Sequence, residues 1–130
     1  MKIEVSLGEV ADKIAILEIK LERIEAPLKL EHIRLEYDLL QKSLEDAGTV
    51  IDSDDFSRLK AVNARLWEIE DRIRMKERDG EFDEEFIELA RSVYAENDKR
   101  FAIKSRISRM AGSEILEEKE YVDYSDKDRG

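Results

Sequence analysis

Four tracts of this sequence space their side chains alternately four and three residues apart, a pattern that collects them on one face of an α-helix. Val10, Ile14, Leu17, Leu21 and Ile24 make the first seam, and Leu30, Ile33, Tyr37, Leu40 and Leu44 the second. Leu59, Val62, Leu66, Ile69 and Ile73 make the third. The fourth stripe, Ala90, Val93, Asn97, Arg100 and Lys104, begins apolar and turns polar. Such a chain is expected to be all-α. Its composition agrees, because 42% hydrophobic beside 43% charged residues is the mixture of long, ion-laced helices rather than of disorder. At 130 residues it has the length for one domain with one core.

The helix ends are written in local chemistry. Met1 to Leu7 alternates Ile3, Val5 and Leu7 with Lys2, Glu4 and Ser6, which reads as a short extended arm with one apolar face. It leads into Ser6-Leu7-Gly8-Glu9, which fits a capping box, with Val5 and Val10 at the hydrophobic-staple positions. Pro27 closes the first helix and suits the first position of the next, and the link is short enough for a tight hairpin or a kinked continuous helix. Asp46-Ala47-Gly48 supplies a left-handed stop, and Asp52-Ser53-Asp54-Asp55 puts negative charge at the positive end of the third helix. Gly80 ends that helix, Asp83 is the predicted N-cap of the fourth with Phe82 and Ile87 at staple positions, and Gly112 stops it. The helices are therefore placed at about 7–25, 27–47, 53–79 and 84–111 in a single domain, 1–112. They are expected to form a four-helix bundle or two antiparallel hairpins, the second of them long. Residues 113–130 read as an acidic tail, with one short helix from Ser113 and a mobile end.

Several function classes fall away. With no Cys there are no disulfides, thiolate metal sites or Cys nucleophiles, and the single His32 removes multi-His metal sites. The longest apolar run, Ile14 to Leu17, is far short of a membrane span, and the opening residues lack the apolar core of a signal peptide. A cytoplasmic protein with no membrane partner is expected. A formal net charge of −10 without a basic tract repels a phosphate backbone, so no nucleic-acid partner is expected either. Asp52 to Asp55 does not open a calcium loop, since Ser57 stands where the loop needs Gly and Asn63 where it needs Glu. Carboxylate pairs such as Glu22 with Glu25 and Glu68 with Asp71 raise a magnesium-dependent pyrophosphohydrolase, which needs two pairs on facing helices. A complete extra helix separates these pairs, and 33 acidic residues make chance pairs common. No metal and no cofactor is predicted.

A candidate site comes from the second hairpin. A turn near Gly80 sets positions summing to about 161 level across an antiparallel pair, placing Asn63 near Asn97 and Asp98, and Trp67 near Tyr94. Asn63, Trp67, Tyr94, Asn97, Arg100 and Lys104 are then the candidate ligand-binding set. Amides and a guanidinium in a half-buried groove can hold a carboxylate or phosphate, with the two aromatic rings as walls. The structural alternative, which is favoured, is that these groups satisfy one another and fix helix register. Glu70 and Arg74 continue the stripe on the third helix. Between Asn97 and Arg109, Lys99, Arg100, Lys104, Arg106 and Arg109 against Asp98 give +4. The negative end of a helix accounts for Arg106 and Arg109, while an acidic partner such as Glu117-Glu118 of the same or another chain is the alternative for the rest.

The opening Ile3-Glu4-Val5-Ser6-Leu7-Gly8-Glu9, then Asp12-Lys13 and Leu17-Glu18-Ile19-Lys20, Asn63 with Leu66-Trp67, Phe82-Asp83, and Asn97-Asp98 with Arg100 resemble a family of short bacterial all-helical proteins of unknown function. The resemblance spans nearly the whole chain and implies no activity, substrate or catalytic residue. It singles out Asp12, Lys13, Glu18 and Lys20 as secondary candidates, whose structural reading is an exposed ion-pair face. A weaker similarity is to the all-helical chorismate mutases, which bind a dicarboxylate between helices through Arg and Lys, although their successive arginines do not align here. The function expected from all this is a non-enzymatic interaction or scaffold role, as a homodimer because the apolar stripes are too wide for one chain to cover. Binding of a small carboxylate or phosphate, with or without catalysis, is the alternative.

Overall fold

The computed structural model describes residues 1–112, which form four α-helices. These are α1 (Leu7–Arg23), α2 (Pro27–Asp46), α3 (Ser53–Asp79) and α4 (Glu84–Met110). The tail helix expected from Ser113, the mobile end and the acidic Glu117-Glu118 pair lie outside the described residues. No helix among the described residues is long and apolar enough to cross a membrane.

Ser6 caps α1, its Oγ accepting from the Glu9 backbone N–H at 3.3 Å. The reciprocal half of the expected capping box is replaced, because the Glu9 carboxylate turns to Lys104 of α4 at 2.6 Å. Of the apolar face expected on the arm, Ile3 and Val5 stay in solvent, 74% and 47% exposed, and Leu7, already the first residue of α1, packs on the core. At the other end of α1, Ile24 and the pre-proline Ala26 are extended, which breaks the helix and lets Pro27 start the next. Lys13 pairs with Glu36 at 3.4 Å, and these two positions lie equally far from that break, so α1 and α2 form a hairpin and not a kinked rod. α2 packs on α1 alone and buries none of its residues.

The side chains of Asp52 and Asp83 accept the backbone N–H of Asp55 and Phe86, both at 3.0 Å, and so cap α3 and α4. Between the two helices Gly80 sits at φ 65°, a left-handed conformation that only glycine adopts cheaply. The two long helices run antiparallel, tied by Arg65 to Glu96 at 3.0 Å, whose positions sum to 161, by Arg72 to Glu85, and by Lys76 to Asp83 at 2.8 Å. The staple pattern sets Phe82 against Ile87. Phe82 packs instead edge-on against Phe86, with 5.2 Å between ring centroids, and Ile87 remains 55% exposed.

α1 lies across the open end of the long hairpin, where small residues admit close approach. The core there is Ala11, Ala15, Leu59 and Ile107, with Leu7, Ile51, Phe56 and Ile103 packed around it. Gly8 lies so close to α4 that its N–H donates to Ser108 Oγ at 2.9 Å. Burial then fades toward the turn: α3 buries nothing after Leu66, and α4 buries only Leu89 before Ile107. The turn end of the hairpin projects as a two-helix arm.

Candidate functional site

Asp12 sits in the second turn of α1, beside Ala11 and facing both α3 and α4, and is only 4% exposed. A carboxylate at such a position must be fully hydrogen-bonded to remain charged. Asn63 Nδ2 on α3 donates to Oδ1 at 2.9 Å, and Arg100 on α4 donates from Nε to Oδ1 at 2.9 Å and from Nη2 to Oδ2 at 2.5 Å. Asn97 Oδ1 in turn accepts from Arg100 Nη1 at 3.5 Å. Lys104 Nζ lies 3.9 Å from Asp12 Oδ2 and 2.6 Å from Glu9 Oε1. Three helices thus meet on one carboxylate through a two-pronged arginine contact, the strongest and most directional ion pair available to side chains.

This arrangement brings four of the six candidate residues together, Asn63, Asn97, Arg100 and Lys104, and adds the secondary candidate Asp12 as their centre. Asp12 was read from sequence as part of an exposed ion-pair face. The structure buries it, because the amide that hydrogen-bonds it and the guanidinium that neutralises it stand 51 and 88 positions away on other helices. The two aromatic walls are elsewhere. Trp67 is half-buried beneath Arg23, whose guanidinium carbon is 5.8 Å from the ring centroid, and Arg23 also reaches Glu68 at 3.3 Å. Tyr94 is 45% exposed, about a third of a turn around α4 from Arg100, beside a shallow depression shared with Glu88, Arg91 and Ser92. The remaining secondary candidates are spread over the surface. Lys13 pairs with Glu36, Glu18 with Lys60 at 3.1 Å, Lys20 is half-buried on α1, and Glu70 and Arg74 are exposed on α3.

A second buried carboxylate escaped the sequence reading. Asp55, 2% exposed, accepts from Arg106 Nε at 3.1 Å and from Arg58 one turn along α3. Its place in an acidic helix start concealed this role, and Arg106, assigned to the negative end of α4, is a tether to α3. The only signal was an arginine and an aspartate at the ends of helices that the hairpin brings level. Lys60 links α1 to α3 by contacts to Glu22 at 2.5 Å and Glu18, and the Glu22 contact, opposed by burial and helped by Glu18, raises its ammonium above the ordinary lysine range.

Chemically, the Asp12 cluster pairs opposite charges among the described residues, Asp12 with Arg100 and Glu9 with Lys104. No buried side-chain nitrogen or oxygen among the described residues lacks a hydrogen-bond partner, and no three His, Asp or Glu side chains converge there to hold a metal. For an anion to take the Arg100 fork, Asp12 would have to give it up and stay buried without its principal counter-charge, at a cost of several kcal/mol.

Fold and site together define a small all-helical bundle whose helices are tied by arginines to two buried carboxylates. The chain belongs to a family of unknown function (DUF6165), whose model matches residues 1–126. No curated protein and no solved structure matches it.

Proposed function

We propose that this chain is a non-enzymatic helical interaction protein, in which the polar cluster fixes the bundle and the exposed helix surfaces meet other proteins. The observation that carries the reading is the engagement of Arg100 by Asp12: the guanidinium that a carboxylate or phosphate would need already holds a carboxylate of its own, at 2.5 and 2.9 Å. Large apolar side chains meanwhile remain outside, among them Leu28, Leu35 and Leu39 on α2 and Met75, Phe82 and Ile87 at the hairpin turn, each more than half exposed. Exposed apolar surface of this kind marks interaction sites. Self-association belongs to the same reading and falls to the hairpin turn, where basic α3 residues such as Arg72 and Lys76 stand beside acidic Glu81 and Asp83 of the turn and Glu85 of α4, a mixture that is complementary to itself.

Two measurements test this. Isothermal titration with dicarboxylates, inorganic phosphate and sugar phosphates is expected to give no saturable heat, whereas a saturable heat abolished by Arg100→Met would return the ligand-binding alternative. Light scattering is expected to read twice the 15.2 kDa chain mass, and to fall toward the monomer in Phe82→Ser/Ile87→Ser. A monomer at all concentrations would remove the dimer from the proposal.

A further inference from the structure

α2 carries two apolar seams. The inner one, Leu30, Ile33, Tyr37, Leu40 and Leu44, is half-buried on the side of α1. The outer one is Leu28, His32, Leu35 and Leu39, spaced four, three and four, with the leucines 65%, 62% and 59% exposed. At about 100° per residue the two seams lie roughly 160° apart, on opposite sides of the same helix. Nothing among the described residues covers the outer seam: α1 packs on the opposite side of α2, and the three leucines stay exposed. Its spacing is the seam of a coiled coil, in which His32 and Leu39 take one core position and Leu28 and Leu35 the other.

The flanks of this seam say what can cover it. The row just before the first core position is Glu31, Asp38 and Glu45, all acidic and all exposed. The other flank is Lys29, Glu36 and Ser43. Two copies of α2 in parallel register set Glu31 against Glu36, and in antiparallel register the attraction of Lys29 for Glu36 only offsets the repulsion of Glu31 from Asp38, so the flanks give self-pairing no net attraction. An anionic lipid surface is repelled by the acidic row. We infer that the outer face of α2 is a docking strip for an amphipathic helix of another protein, one with aliphatic residues at heptad spacing and Lys or Arg along its flanks. Leu28 to Leu39 spans about 17 Å, so three turns of partner helix suffice. The inference rests on the interaction reading above and specifies its partner.

The probe is a pair of fluorescein-labelled synthetic helices with Leu at both core positions, one flanked by Lys and Arg, the other by Glu, titrated into the full chain and followed by anisotropy. The basic helix is expected to bind on the order of tenfold tighter than the acidic one, with affinity falling as salt rises. Leu28→Ser/Leu35→Ser/Leu39→Ser, which alters only exposed positions and keeps the circular dichroism spectrum, is expected to abolish binding. Glu31→Lys/Asp38→Lys/Glu45→Lys is expected to reverse the preference. Equal binding of both helices, or binding that survives the serine variant, overturns the proposal. If the serine variant instead converts a dimer to a monomer, the strip is covered by a second copy, and this inference fails while the interaction reading stands.

Discussion

Arg100→Met is expected to lower the stability of the fold by about 3–5 kcal/mol, because it leaves the Asp12 carboxylate buried without its principal counter-charge. Asp12 has 5% of its side chain exposed and Arg100 29%, so the aspartate is the partner with no recourse to water. Asn63 still donates one hydrogen bond, and Lys104 at 3.9 Å supplies some positive field, which places the effect inside that range and not above it. A domain of this kind is stabilised by only about 5–15 kcal/mol in total, so the loss is a large share of the whole. Asp12→Leu combined with Arg100→Met is expected to recover much of it, since removing both charges together removes the desolvation cost along with the attraction. Urea unfolding of the wild type, the two single variants and the double variant gives the coupling directly. Single variants within about 1 kcal/mol of the wild type would show a pair exchanging with solvent, of the kind that contributes little at a protein surface.

Gly8→Ala is expected to be destabilising by about 1–3 kcal/mol, the usual cost of overpacking. The sign is informative, because in an ordinary helix interior the same change is favourable by about 0.8–1.0 kcal/mol. A Cβ on Gly8 would stand 2.4 Å from the Lys104 carbonyl oxygen and 2.7 Å from Ser108 Oγ. Ser108 can rotate away, but a backbone carbonyl inside α4 cannot move without the helix. α1 must therefore lift from α4, which also lengthens the Gly8 N–H to Ser108 hydrogen bond and disturbs the contact of Glu9 with Lys104. Thermal unfolding reads the result. Ser108→Ala in the same background is expected to give back little, because it leaves the carbonyl clash in place. A Gly8→Ala variant as stable as the wild type would mean that α1 does not approach α4 this closely.

What the sequence made legible is what local chemistry determines. The four-three seams, Ser6 and Asp83 as caps, the acidic run from Asp52 as a helix start, Pro27 as a break and Gly80 as a turn each act through neighbours a few residues away, and they suffice to give four helices with α3 and α4 antiparallel. From that turn, the convergence of Asn63, Asn97 and Arg100 follows by counting. The centre of the cluster does not, because the hairpin arithmetic contains no α1. An aspartate at position 12 on an otherwise amphipathic helix looks like any surface acid until α3 and α4 are set against it. The same holds for Asp55, whose place in the first turn of α3 gives it an adequate local explanation that hides Arg106. Trp67 and Tyr94 were paired because they are level along the hairpin. Being level does not fix rotation about each axis, and α1 draws Trp67 toward Arg23 while Tyr94 faces away. On α2 both leucine seams are present in the sequence at the same spacing. Which one turns inward is decided by the packing of α1.

The most direct measurement is of Arg100 itself. In a ¹⁵N-labelled sample its Nε–H, held between the guanidinium and Asp12 Oδ1 at 2.9 Å, is expected to give a slowly exchanging side-chain resonance. That signal is predicted to be lost in Asp12→Ala and to stay unmoved when millimolar phosphate or dicarboxylate is added. A resonance that exchanges rapidly in the wild type, or that shifts saturably with either anion, would contradict the claim that this arginine locks the bundle.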